Sequence, residues 1–212
     1  LKCRSCQQEA GPGPLCSGCG AIQPLSGAAN PFAVLGFPET FRLDPNELEE
    51  RFKDLSRKLH PDRFAQRSPA ERRLSLEWTT AVNDAHRALK DPARRAAFLL
   101  ERHGIPWEGA AGASAAQRRL SPEHLEEVLE RREALAEARR ARDLERVRRM
   151  ALEAKSRVNE TLRRISALFE QWEESRSPEL LDQAGAALSM LKYDLRFQEE
   201  VEAIELEALE LP

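Results

Sequence analysis

Leu59-His60-Pro61-Asp62-Arg63-Phe64 sits between two amphipathic segments, and that setting decides the fold. Upstream, Asp44-Pro45-Asn46-Glu47 reads as a helix start. The Asp can cap a free backbone N–H, Pro fits the first helical position, and Glu three residues on can reach back. Leu48, Phe52, Leu55 and Leu59 then recur at helical spacing as one apolar stripe, with Arg51, Lys53, Arg57 and Lys58 mostly off it. Pro61 ends the helix, because the residue before a proline is pushed out of the helical region. Ser68-Pro69-Ala70-Glu71 repeats the start signal, and Leu74, Trp78, Ala81, Val82, Ala85 and Leu89 form a facing stripe. Two antiparallel helices can bury these stripes against each other and leave His60-Pro61-Asp62 exposed between them.

By residue type alone the tripeptide fits an ordinary turn, since Pro and Asp are favoured there. A catalytic His/Asp pair is conceivable because His titrates near neutrality, but no nucleophile with a base accompanies it. The helix–loop–helix setting resembles a DnaJ-type J-domain. Two further stretches, Asn30-Pro31-Phe32-Ala33-Val34-Leu35-Gly36 and Leu89-Lys90-Asp91-Pro92-Ala93-Arg94-Arg95-Ala96-Ala97-Phe98-Leu99-Leu100, resemble the HscB family of iron–sulfur co-chaperones. That family often has Tyr at the position of Phe98, so a hydroxyl is missing here while the apolar anchor survives. Asp91-Pro92 starts a third helix and Gly104 stops it. The resemblance implies a non-enzymatic co-chaperone. His60, Pro61 and Asp62 would dock on a DnaK/HscA-type chaperone ATPase. Arg51, Lys53, Arg57 and Lys58 would give salt-sensitive support, with a solvated helix face as the alternative for the four cations.

Cys3-x2-Cys6 and Cys16-x2-Cys19 use every cysteine in the chain. Two such knuckles can close a tetrahedral four-thiolate site with Zn–S of about 2.3 Å. So short a segment has no core, and metal binding would be its main folding energy. Two disulfides and a redox pair are the alternatives. No signal peptide and no thioredoxin-like context support either. Structural Zn2+ is the expected cofactor, and iron fits the same ligands. Some HscB-like proteins carry such an N-terminal module.

The chain has 212 residues, with 33 Lys and Arg against 36 Asp and Glu and a net charge of −3. That balance does not suggest a nucleic-acid binder, and no apolar run is long enough for a membrane span. Ala, Arg, Glu and Leu dominate, which predicts a mainly α chain. The expected plan is a zinc module over residues 1–26 and a J-domain over 30–104. A linker over 105–120, rich in Gly and Ala, leads to a three-helix bundle over 121–212, with an extended coiled coil as the alternative. Within this plan, the stretch from Ile22 to Ala29 reads as a linker. In the last segment, Leu125, Val128, Leu129 and Leu135 predict one apolar face, Asp143 starts the next helix, and Ser177-Pro178-Glu179 starts the last.

This half also resembles the HscB C-terminal domain, through helix order and Leu125-x3-Leu129-Glu130-x-Arg132-Glu133-x-Leu135. The resemblance implies binding of an IscU-type iron–sulfur scaffold through Leu125, Leu129, Glu130, Glu133, Glu137 and Tyr193. Glu126 and Arg131 stand where the family often has apolar residues. Core leucines and a solvated acidic face are the alternative reading. A general J-protein for unfolded clients and a zinc-dependent nucleic-acid-associated protein are the rival functions. Composition favours a bacterial cytoplasm, with a mitochondrial location for a form carrying a presequence. A monomer or weak dimer is expected.

Overall fold

A computed structural model of the chain describes residues 2–11, 13–25, 30–107 and 122–210. The linker tetrad Gly109-Ala110-Ala111-Gly112 lies outside the described residues. The chain divides into two compact units, residues 1–95 and 96–212. Among the described residues the regular elements are helices. None of these is long and apolar enough to cross a membrane.

The first unit carries α1 (Pro31–Leu35), α2 (Pro45–Leu59), a 3-10 turn (Pro61–Phe64) and α3 (Pro69–Lys90). Each start is set locally. Asn30 accepts from the Phe32 and Ala33 N–H groups, and Gly36 closes α1 at φ 73°. Asp44 caps α2 through Asn46 N, at 2.8 Å. Glu47 does not complete that cap as the sequence suggested; it pairs with Arg51 at 2.6 Å instead. Ser68 and Glu71 form a full capping box on α3. Leu48 and Leu59 of α2 and Trp78, Ala81, Val82, Ala85 and Leu89 of α3 are buried, as the two stripes required. Phe52 stacks on His86 with ring centroids 4.0 Å apart. Glu49 accepts from both His86 (3.0 Å) and Lys90 (2.9 Å), which ties α2 to α3 on its polar side.

Helix α4 (Pro92–Arg102) spans the division between the units, Arg95 being the last residue of the first. Asp91 caps it, donated to by Ala93 N at 2.8 Å. Gly104, at φ 69°, turns the chain out of it. The second unit holds α5 (Pro122–Arg140), α6 (Leu144–Ser175) and α7 (Pro178–Glu210). Asp143 caps α6 through Arg146 N at 3.0 Å. Arg176 takes a left-handed conformation at φ 57° and makes the tight reversal into α7. Helices α6 and α7 bury Ile165, Leu168, Phe169 and Trp172 against Leu181, Ala184, Leu188 and Leu191. Leu135, Ala138, Val147, Ala154, Phe197 and Val201 form a second cluster that includes α5.

Candidate functional site

The His60-Pro61-Asp62 connection is a shaped projection. His60 caps the 3-10 turn, its Nδ1 accepting from Asp62 N at 3.3 Å, and Arg63 N donates to His60 O at 2.9 Å. Phe64 is buried beneath the turn. The His60 and Asp62 side chains remain 57% and 89% exposed, so both face solvent on a fixed backbone. Sequence reasoning missed what fixes it. Pro61 has no N–H, and the helix ends just beyond the Leu59 carbonyl. Ser75, fully buried on α3, donates to that carbonyl at 2.7 Å, and the Thr79 hydroxyl, which donates to Ser75 O at 2.8 Å, lies 3.3 Å from it. A buried serine facing a helix C-terminus is the only sequence signal of this clasp.

The four cations of α2 do not form one free face. Lys53 and Arg57, one turn apart, are exposed. Lys58 pairs with Asp54 at 2.7 Å, and Arg57 approaches the same carboxylate at 3.9 Å. Arg51 serves the fold: it donates to Gly36 O and to Leu35 O (3.4 Å), and stacks on Phe37 at 4.1 Å. Such a guanidinium is half-buried and committed to the end of α1.

The four cysteines converge. Their sulfurs all lie within 4.8 Å of one another, with Cys3–Cys19 at 3.6 Å and Cys6–Cys16 at 3.7 Å. A tetrahedron with metal–sulfur bonds of about 2.3 Å has edges of about 3.8 Å, so these separations suit one tetrahedral ion. The two knuckles repeat one geometry. Gln7 N donates to Cys3 O and Gly20 N to Cys16 O, while Cys3 N and Cys16 N donate to Gln8 O and Ala21 O. The residue after each second cysteine is left-handed, Gln7 at φ 63° and Gly20 at φ 71°. Ser5 N and Gln23 Nε2 each donate to Cys3 Sγ at 3.3 Å, as hydrogen bonds to a ligating sulfur do.

The thiol chemistry agrees with a cation site. The N–H of Cys6, then that of Ser5, holds the Cys3 thiol down at about 6 despite its burial. The Gln8 contact pulls Cys6 down, but hydrogen bonding to Cys19, burial, and contacts with Cys16 and Cys3 outweigh it, and Cys6 is pushed up to about 12. Sulfurs this close resist ionising together unless a cation joins them. The stretch from Ile22, expected as a linker, is anchored at its start: Ile22 and Gln23 are buried, and the Trp78 indole N–H donates to Gln23 O at 2.7 Å.

On α5, Leu125 and Leu129 are 40% and 60% exposed, and Glu130, Glu133 and Glu137 are exposed with them. The single apolar face expected from Leu125, Val128, Leu129 and Leu135 is therefore split. Leu135 is buried and Val128 half-buried, while the other two leucines turn outward. Arg131 takes the inward place. It pairs with the buried Asp194 at 2.7 Å and stacks on Phe197 at 4.3 Å. Glu137 pairs with Arg146 at 3.5 Å. Tyr193, half-buried on α7, lines a narrow cleft with His124, Val128 and Arg131 of α5, beside but not within the leucine pair.

Comparison with known proteins joins these parts. The family model for the HSCB C-terminal oligomerisation domain matches residues 120–202. The "Co-chaperone protein HscB homolog" of Azoarcus sp. (strain BH72) is 37% identical over 129 residues, which is 61% of this chain and 70% of that protein. The chain belongs to the HscB co-chaperone family. The mouse "Iron-sulfur cluster co-chaperone protein HscB" is 31% identical over 85% of this chain and 75% of its own length. The crystal structure of the human co-chaperone protein HscB superposes with a TM-score of 0.76 at 27% identity, covering 98% of this chain and all of that one.

Proposed function

We propose that this HscB-family protein is a non-enzymatic adaptor in iron–sulfur cluster assembly. Its His60-Pro61-Asp62 projection engages a DnaK/HscA-type chaperone and stimulates ATP hydrolysis there. Lys53, Arg57 and Lys58 steer that encounter; Arg51 contributes mainly by holding α1. An IscU-type scaffold is held by the outer face of α5, through Leu125 and Leu129 flanked by Glu130, Glu133 and Glu137, with Tyr193 at its border. Linking client and chaperone on one chain raises the local concentration of each for the other. The observation that carries this reading is the loop: two exposed polar side chains on a backbone clasped from beneath, in a chain of this family.

The four cysteines would hold Zn2+ as a structural ion. Four thiolates leave no open position, so the ion would supply folding energy rather than hydrolytic chemistry. We place the protein in a bacterial cytoplasm on composition, which cell fractionation tests.

The test is steady-state ATP hydrolysis by the chaperone with this protein and the scaffold, singly and together. More-than-additive stimulation is expected. His60→Gln should abolish stimulation and leave scaffold binding intact. Equal loss of both, or no stimulation by the wild-type chain, would overturn the reading.

A further inference from the structure

Three contacts link the cysteine cluster to the exposed loop. Gln23 Nε2 donates to Cys3 Sγ at 3.3 Å and to Ala21 O at 2.7 Å. The carbonyl of the same residue accepts the Trp78 indole N–H at 2.7 Å. Gln23 and Trp78 are 8% and 7% exposed, so water has little access to replace either bond. Trp78 lies on α3 between Ser75, whose hydroxyl clasps the Leu59 carbonyl, and Thr79, whose hydroxyl bonds Ser75 O at 2.8 Å and lies 3.3 Å from that carbonyl. That carbonyl belongs to the peptide that enters His60. A continuous run of hydrogen bonds and one helical turn therefore joins the sulfurs to the loop.

We propose that Gln23 and Trp78 couple the four-cysteine centre to the His60-Pro61-Asp62 loop, so that metal occupancy sets how firmly the loop is held. With an ion bound, Cys3 Sγ is a fixed thiolate, and charge strengthens the N–H···S bond that orients Gln23. The Gln23 carbonyl then stands where the buried indole needs an acceptor. Without the ion, a segment with almost no core loses its main folding energy. The indole N–H then loses its acceptor and the segment that covers it, and the turn of α3 around Trp78 loosens. Ser75 and Thr79 move with that turn, and the Leu59 clasp loosens. Gln23 and Trp78 act here as positioning residues. The proposal deepens the reading of the loop as a chaperone contact, and rests on it only for the consequence.

The test is amide hydrogen exchange on the full chain under reducing conditions, loaded with Zn2+ or stripped with EDTA. In the wild type, stripping is expected to speed exchange across residues 59–67 by about threefold or more, the scale of a modest intramolecular coupling. Gln23→Leu and Trp78→Phe should each remove that metal-dependent difference, while residues 2–10 and 14–22 still respond to Zn2+. Comparing loaded and stripped forms of the same variant cancels any uniform loss of stability. Two variants guard against one failing to fold. Exchange at 59–67 that ignores the metal in the wild type would overturn the coupling, as would a response that survives both substitutions. No chaperone is present, so a loop that fails to stimulate ATPase would sink the functional reading and leave this coupling standing.

Discussion

Asp194 makes the second unit sensitive to a single polar substitution. Its carboxylate is only 5% exposed and lies on α7. It accepts from Arg131 of α5 at 2.7 Å and lies 3.6 Å from Arg157 of α6, which in turn pairs with Glu127 of α5 at 2.7 Å. One buried acid thus ties all three helices. Asp194→Ala removes the acid and leaves Arg131, 18% exposed, with a buried charge and no counter-ion. Breaking a buried pair from one side costs about 3–5 kcal/mol. The Arg131 guanidinium keeps its place over Phe197, and Arg157 is 39% exposed and can turn to water. Those two outlets reduce the expected loss to about 2–4 kcal/mol.

Urea unfolding measures it. With a slope of about 1.5 kcal/mol per molar, the midpoint of this unit should fall by about 2 M. The double variant Arg131→Met, Asp194→Leu is the control. It removes both charges, and its loss should be within about 1 kcal/mol of zero, because a buried pair replaced by apolar residues of similar size is often neutral. A midpoint shift below about 0.3 M for Asp194→Ala would refute the reasoning. Leu135, Ala138 and the remaining ion pairs of α5 would then suffice to hold it.

Three further outcomes are expected. Gly185→Ala should destabilise the second unit by about 1 kcal/mol in a thermal melt, although Ala gains about 1 kcal/mol in helix propensity, because the new Cβ would lie 2.9 Å from Pro106 O and 3.0 Å from Ile105 Cγ2. Hydrogen bonds from Lys90, then His86, hold the Glu49 carboxyl below its ordinary 4.5, so its contribution is full above that value and is lost as pH falls through the lower folded one; Glu49→Gln should flatten the acid limb of the first unit's stability measured across that window. Leu129→Glu should weaken scaffold binding by about tenfold in calorimetry, as loss of a well-buried interface side chain does, and leave the melting temperature unchanged, because the side chain is 60% exposed in the free chain.

What the sequence shows plainly is what short-range chemistry decides. The caps at Asn30, Asp44, Ser68, Asp91 and Asp143 each accept a bond from two or three residues away, so the residue type announces the helix start. The hairpin stripes and the paired knuckles are equally local in pattern. What stayed hidden is decided across long separations. Arg131 and Asp194 are 63 residues apart, Trp78 and Gln23 are 55 apart, and Ser75 meets Leu59 across 16. No window of sequence pairs such groups. The contact of Arg51 with α1 is hidden for a related reason: a cation off the apolar stripe shows no partner in the sequence until α1 folds against it.

Helix α5 is the sharpest case, because its pattern reads inside out. An arginine occupies the inward position and two leucines, one turn apart, face water. A scattered exposed leucine needs no explanation. A helix that turns leucines outward while placing a guanidinium on a buried carboxylate is different. Exchanging the two would bury more apolar area and avoid desolvating a charge, so the unit forgoes stability to keep this face. Leu125 and Leu129, 40% and 60% exposed, together leave about one leucine side chain uncovered, and covering both would return about 1.5–3 kcal/mol, a useful contribution to a contact when joined to the acidic rim of Glu130, Glu133 and Glu137. The ion pairs at the inner edge then have a distinct role. They fix the rotation of α5 about its own axis, since a slip by one residue would break Arg131–Asp194, Arg132–Glu200 and Arg139–Glu207 together. The same slip would turn Leu135 and Ala138 away from the core, so the charged seam and the apolar packing select one register. The arrangement supports the proposed contact of a scaffold with the outer face of α5.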